Sequence, residues 1–161
     1  KHLLSFFPDI PLTIEDYLKE RNALQDAMWP KVPLLPGIKR LVDHLHKNDI
    51  PMAIATGSRR AKYELKTSNH EELFKLFNGK VVCSDDPQYA GMRGKPNPDI
   101  FLTAAAVMLG KDVGTAQTEP TEEQIAQRRK GLVLEDALSG VQAGKRAGMN
   151  GGHSRRSSFS A

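Results

Sequence analysis

Three short stretches combine residue types that could handle a phosphoryl group. In IATGS, Ile54 to Ser58, an apolar run delivers the Thr56 hydroxyl, Gly57 lets the backbone come close to a ligand, and a following helix presents free N–H groups. An ordinary helix start capped by Thr56 or Ser58 fits the same residues. In GKPNPDIF, Gly94 to Phe101, Lys95 sits in a loop stiffened by Pro96 and Pro98, where its ammonium could offset an anion or simply face solvent. In LEDALSG, Leu134 to Gly140, the adjacent Glu135 and Asp136 follow an apolar run. Two such carboxylates suit magnesium, which keeps water and substrate phosphate in its shell, and they equally suit the positive end of a helix dipole. A second acidic pair, Asp85 and Asp86, stands before Pro87 and reads as a turn.

Other chemistries find little support. Cys83 is the one cysteine, so no intramolecular disulfide and no four-thiolate zinc site can form. It lies in an apolar run without a neighbouring base, which favours packing over nucleophilic attack. His2, His44, His46, His70 and His153 show neither HxxxH nor HExxH spacing. Lysine and arginine total 23 against 19 acidic residues, a net charge of +4 concentrated partly in Arg128 to Lys130 and in Arg155 and Arg156. So small an excess does not predict a nucleic-acid partner. No apolar run is long enough to span a bilayer and no leader pattern is present, so no membrane partner and a cytoplasmic location are expected.

The elements that must position these residues follow from periodicity. Thr13 with Asp16 opens a capping pattern, and Ile14, Tyr17, Leu18, Leu24 and Met28 continue it as a helix until Pro30. Ile38, Leu41, Val42 and Leu45 predict a second helix ending near Asn48. Ile50 to Ala55 predicts a buried strand, with a helix starting near Ser58; Leu73, Phe74 and Phe77 mark a short helix closed at Asn78-Gly79; Lys80 to Ser84 predicts a second strand. Asn97 as N-cap with Pro98 at the first helical position starts a helix that runs to Gly110. Residues 111–130 read as a polar surface insertion with a helix from Glu122. Leu132 to Leu134 predicts a third strand, and Ser139 to Ala147 a helix stopped by Gly148. Alternating helix and strand implies an α/β, Rossmann-like parallel sheet with flanking helices. Residues 151–161 carry no apolar period and are expected to be a disordered tail. Its Ser157 and Ser158 follow a basic stretch.

A hydroxyl, a lysine and an acidic pair at successive strand ends are far more specific together than singly. IATGS, GKPNPDIF and LEDALSGVQAGKRAGM resemble the second, third and fourth motifs of the haloacid dehalogenase (HAD) superfamily of phosphohydrolases. VPLLPG, KTSNHEELFKLF and SDDP are similar to the pseudouridine 5′-monophosphatase group within it. The resemblance runs from about Val32 to Met149. It implies an incomplete HAD core over 31–150, with 1–30 as the C-terminal part of a helical cap. It also implies that Thr56, Gly57, Ser58 and Lys95 bind phosphate, that Thr56 and Lys95 assist catalysis, and that Asp136 and Glu135 hold Mg2+. Arg59 and Arg60 are weaker candidates for touching the rest of the substrate.

The implied activity is hydrolysis of a small phosphorylated metabolite, such as pseudouridine 5′-monophosphate, through an aspartyl-phosphate, by a protein that is monomeric when full length. The family's first motif, DxDx[TV], supplies the nucleophile. No DxD triplet occurs in these 161 residues. The chain alone is therefore expected to be inactive, and the alternative is a non-catalytic fragment or phosphate-binding module.

Overall fold

The computed structural model describes residues 6, 7 and 9–153. Helix α1, Ile14–Met28, begins where the Thr13 side chain accepts the Asp16 N–H, and Pro30 turns the chain through a short 3₁₀ segment, Trp29–Lys31. Helix α2, Ile38–Lys47, closes on Asn48, whose side chain donates to the His44 carbonyl. Strand β1, Ile54–Thr56, leads into α3, Arg60–Thr67, and α4, Glu71–Lys75. Asn78 and Gly79, both at positive φ, then reverse the chain into strand β2, Val81–Cys83. Helix α5, Asp99–Thr103, runs on through a π-helical turn, Ala104–Met108. Helix α6, Glu122–Arg129, opens with a reciprocal Thr121 and Gln124 capping box, followed by strand β3, Leu132–Glu135, helix α7, Leu138–Arg146, and strand β4, Asn150–His153. Among the described residues no helix is long and apolar enough to cross a membrane.

The strands form two separate parallel pairs. Ile54, Ala55 and Thr56 face Val81, Val82 and Cys83, while Leu132 to Glu135 face Asn150 to His153. Among the described residues each of β1 and β3 thus carries a ladder on one edge. Residues 50–55 and 131–135 line a common cleft of about 700 Å³, walled by Leu41, Val42 and Leu45 of α2 and by Phe101, Ala104 and Ala105. The buried core, with Val82, Ile100, Leu102, Val113, Val133, Ala143 and Ala147, packs beside it.

Several expectations change. The predicted strand from Ile50 shortens to Ile54–Thr56, because only β2 offers a hydrogen-bonding partner and it is itself three residues long. Asn97 does not cap α5. Its amide donates to the Gly94 carbonyl within the loop, and the helix starts at Asp99. Residues 111–130 carry the expected helix from Glu122 and are tied to the core at two points: Val113 is buried, and the buried Arg128 guanidinium donates to the Val113 and Thr115 carbonyls. Arg60, a weaker candidate for touching the substrate, is engaged within the fold, since it pairs with the buried Asp86.

The expected tail loses its first three residues to β4. Gly151 and Gly152 have no side chains to show a period, but a ladder needs only backbone, and the Asn150 N–H on the Gly131 carbonyl sets its register. The rest of that expectation, residues 154–161, lies outside the described residues, as do His2, Arg155, Arg156, Ser157 and Ser158.

Candidate active site

Thr56 ends β1, and its hydroxyl oxygen accepts the Ser58 N–H at 3.1 Å. The hydroxyl thus folds the turn back on itself and does not cap α3. Arg59 occupies the N-cap without a side-chain bond, and the Arg60 N–H donates instead to Asp85 at 2.7 Å. The aspartate at the end of β2 therefore caps the helix that follows β1, which leaves Thr56, the exposed Gly57 and Ser58 as an open turn at the strand end.

Lys95 crosses from this turn to β3. Its ammonium donates to the Ala55 carbonyl at 3.3 Å and to the Glu135 carboxylate, and it lies 4.8 Å from the Phe101 ring centroid. The Lys95 and Glu135 side chains are only 17% and 13% exposed, so the solvated lysine is ruled out; a charge this sheltered needs its partner. Gly140 of α7 gives Glu135 its place, for a Cβ there would fall 2.1 Å from the Glu135 carboxyl carbon. Lys95 thereby joins the residues immediately next to Thr56 and to Asp136.

The second acidic pair serves the fold. Asp86 accepts two bonds from the Arg60 guanidinium, at 2.6 and 3.0 Å, and one from the Cys83 N–H. Burial pushes its carboxyl up, but Arg60 and the Cys83 N–H outweigh that and hold it below the usual carboxylate range. Burial drives the Cys83 thiol up to about 11, which leaves it without thiolate character. Asp99, also buried, is held low in the same way by Arg93.

For a metal, the donor set is partial. Among the described residues no three His, Cys, Asp or Glu side chains converge. Glu135 already serves Lys95, and Asp136 follows it on the same strand end. One or two carboxylates with water and phosphate are nonetheless what magnesium takes, so these residues fit that ion as part of its shell.

Two residues went unnoticed in the sequence. Lys66 and Trp29, on α3 and the turn after α1, meet beside Ser58. Nothing in the local pattern of either segment marks them.

The relatives of this chain identify its family. The family model for haloacid dehalogenase-like hydrolases matches residues 8–148. The chain belongs to that family. This HAD-like hydrolase chain is 45% identical over 139 residues to (DL)-glycerol-3-phosphatase 2 of Arabidopsis thaliana, covering 86% of this chain and 51% of the relative. It is 38% identical over 141 residues to the probable pseudouridine-5′-phosphatase of Drosophila melanogaster, covering 88% and 54%. Among solved structures, a HAD hydrolase of family IA, variant 3, from Entamoeba histolytica aligns with a TM-score of 0.65 at 26% identity, over 94% of this chain and 61% of that one. The HAD-like chain spans about half the length of the curated relatives it matches. Its parallel strands and flanking helices are those of an incomplete HAD core.

Proposed function

We propose that this chain is the phosphate- and metal-binding part of a magnesium-dependent phosphatase acting on a small phosphorylated metabolite. The observation that carries the reading is Lys95 lying between the ends of β1 and β3, where Thr56 and the Glu135-Asp136 pair emerge. The Thr56 hydroxyl and the Gly57 N–H would bind the phosphoryl oxygens, with Ser58 holding the turn through its bond to Thr56, and Lys95 would offset their charge. Asp136, with Glu135, would hold magnesium, which supplies further positive charge when bound.

The nucleophile must come from elsewhere. No DxD triplet is present, Asp85 and Asp86 are committed to α3 and Arg60, and the cleft between β1 and β3 has two strand edges to offer. A strand carrying DxDx[TV] seated there would bring an aspartate to the same end of the sheet. Its carboxylate oxygen would bond to phosphorus as the ester oxygen leaves and takes up a proton, and water would then release phosphate from the aspartyl-phosphate.

For the substrate, a nucleoside monophosphate such as pseudouridine 5′-monophosphate and a polyol phosphate such as glycerol 3-phosphate are the two classes that the relatives' names support. The absence of a DxD triplet favours a second reading, a phosphate-binding module without turnover. Purified 161-residue chain, magnesium and a generic phosphomonoester decide part of the question, and a longer form with DxDx[TV] upstream decides the rest. The expected result is turnover only in the longer form, lost on Asp136→Ala. Turnover by the 161 residues alone that disappears with Asp136→Ala would overturn the account of the nucleophile, and inactivity of the longer form would leave the binding module.

A further inference from the structure

Two lysines one turn apart on α3 meet the end of α1, and they are treated differently. Lys62 finds a carboxylate, forming an ion pair with Asp26. Lys66 finds none. Its ammonium lies 4.2 Å from the Trp29 ring centroid and donates to the Ser58 hydroxyl at 3.1 Å, and among the described residues no acidic side chain pairs with it. An indole face and a hydroxyl hold an ammonium in place without neutralising it. Lys95 has a carboxylate partner in Glu135, so among the described residues Lys66 is the half-buried lysine at the Thr56 turn without an acidic partner.

Ser58 ties this cation to the turn, because its N–H bonds the Thr56 hydroxyl while its own hydroxyl accepts from Lys66. The Trp29 side is anchored as well: Asn69 donates to the Pro30 carbonyl at 2.6 Å, and the His70 ring nitrogen lies 2.8 Å from the Val32 carbonyl. From this geometry we propose that Lys66 is a second anion-binding residue of the turn, one that selects a dianionic phosphomonoester over a monoanionic phosphodiester. The inference rests on the phosphate reading of Thr56 and adds a cation to it. An arriving phosphoryl oxygen competes with the indole for the ammonium, so binding should alter the surroundings of Trp29, the one tryptophan of the chain.

The test uses the 161-residue chain with inorganic phosphate and, separately, dimethyl phosphate as probes. Affinity is read by calorimetry and the indole by its fluorescence. Phosphate should change Trp29 emission in step with the heat of binding. Lys66→Met should weaken phosphate binding by about tenfold, abolish the emission change and remove most of the preference over dimethyl phosphate, while Lys66→Arg should keep that preference. A packing role for Lys66 would lower stability without moving the preference. Thr56→Val reports on the underlying site. If it weakens phosphate binding and Lys66→Met does not, the proposal is overturned and the phosphate turn stands. If the unaltered chain binds no phosphate, both fall.

Discussion

Lys95 and Glu135 form a sheltered ion pair that, with the Ala55 carbonyl, ties together two pairs of strands sharing no ladder. The pair therefore has a mechanical duty beside its proposed chemical one. Lys95→Ala should cost about 3 kcal/mol in a denaturant titration, because it leaves a poorly solvated carboxylate without a cation. In the longer form carrying DxDx[TV] it should also lower kcat at least about 100-fold. A large loss of stability with kcat intact would reduce the residue to its mechanical part.

Gly140→Ala tests the same pair from the other side. The added Cβ meets the Glu135 carboxyl group, which must rotate away from Lys95 or push α7 outward. A loss of about 1–3 kcal/mol is expected, with a fall in kcat of the longer form that resembles the effect of Lys95→Ala. Full stability and full activity would show that Glu135 can move without consequence.

Arg60→Met should cost about 2–3 kcal/mol at neutral pH, since buried Asp86 then keeps only the Cys83 N–H. The sign of its pH dependence follows from a folded carboxyl held below its ordinary value of about 3.9. Such a group stabilises the fold above that value and ceases to do so as pH falls through the lower folded one. The gap between parent and variant, measured by urea midpoints, should therefore narrow below about pH 4. A gap that stays constant into acid would mean that the ion pair does not link folding to protonation.

How much of this was legible in the sequence depended on how local each signal was. Thr13 with Asp16 acts within one helical turn and placed its helix, and a helix was also expected from Glu122, where the structure adds the equally local Thr121 and Gln124 box. The strand ends bearing Thr56 and Glu135 were legible because an apolar run too short for a helix and bounded by turn residues suits a buried strand. β4 was not, for it is built from glycines whose ladder leaves no side-chain trace. The Lys66 and Trp29 contact joins ordinary residues of two separate segments, and the packing of the Trp29–Lys31 turn on α3 brings them together.

The open cleft carries its own prediction. Among the described residues the cleft-facing edges of β1 and β3 have no ladder partner, and each N–H or carbonyl there that is shielded from water costs roughly 1–3 kcal/mol. The 161-residue chain should melt broadly and below the usual range of about 45–65 °C, and it should take up an apolar dye. A sharp monomeric transition within that range would show that the edges are satisfied in some other way.

The separation of the strands into two pairs also bears on how the molecule opens. Each pair is closed by its own crossover, α3 and α4 between β1 and β2, and α7 between β3 and β4, and no backbone hydrogen bond of either ladder belongs to the other. Cooperativity between the halves must then pass through side chains alone, through Lys95 and the packing of α5 on its neighbours. Amide exchange should resolve two opening units with different free energies, Ile54 and Val82 in one and Val133 in the other, where a continuous ladder would have made them a single one.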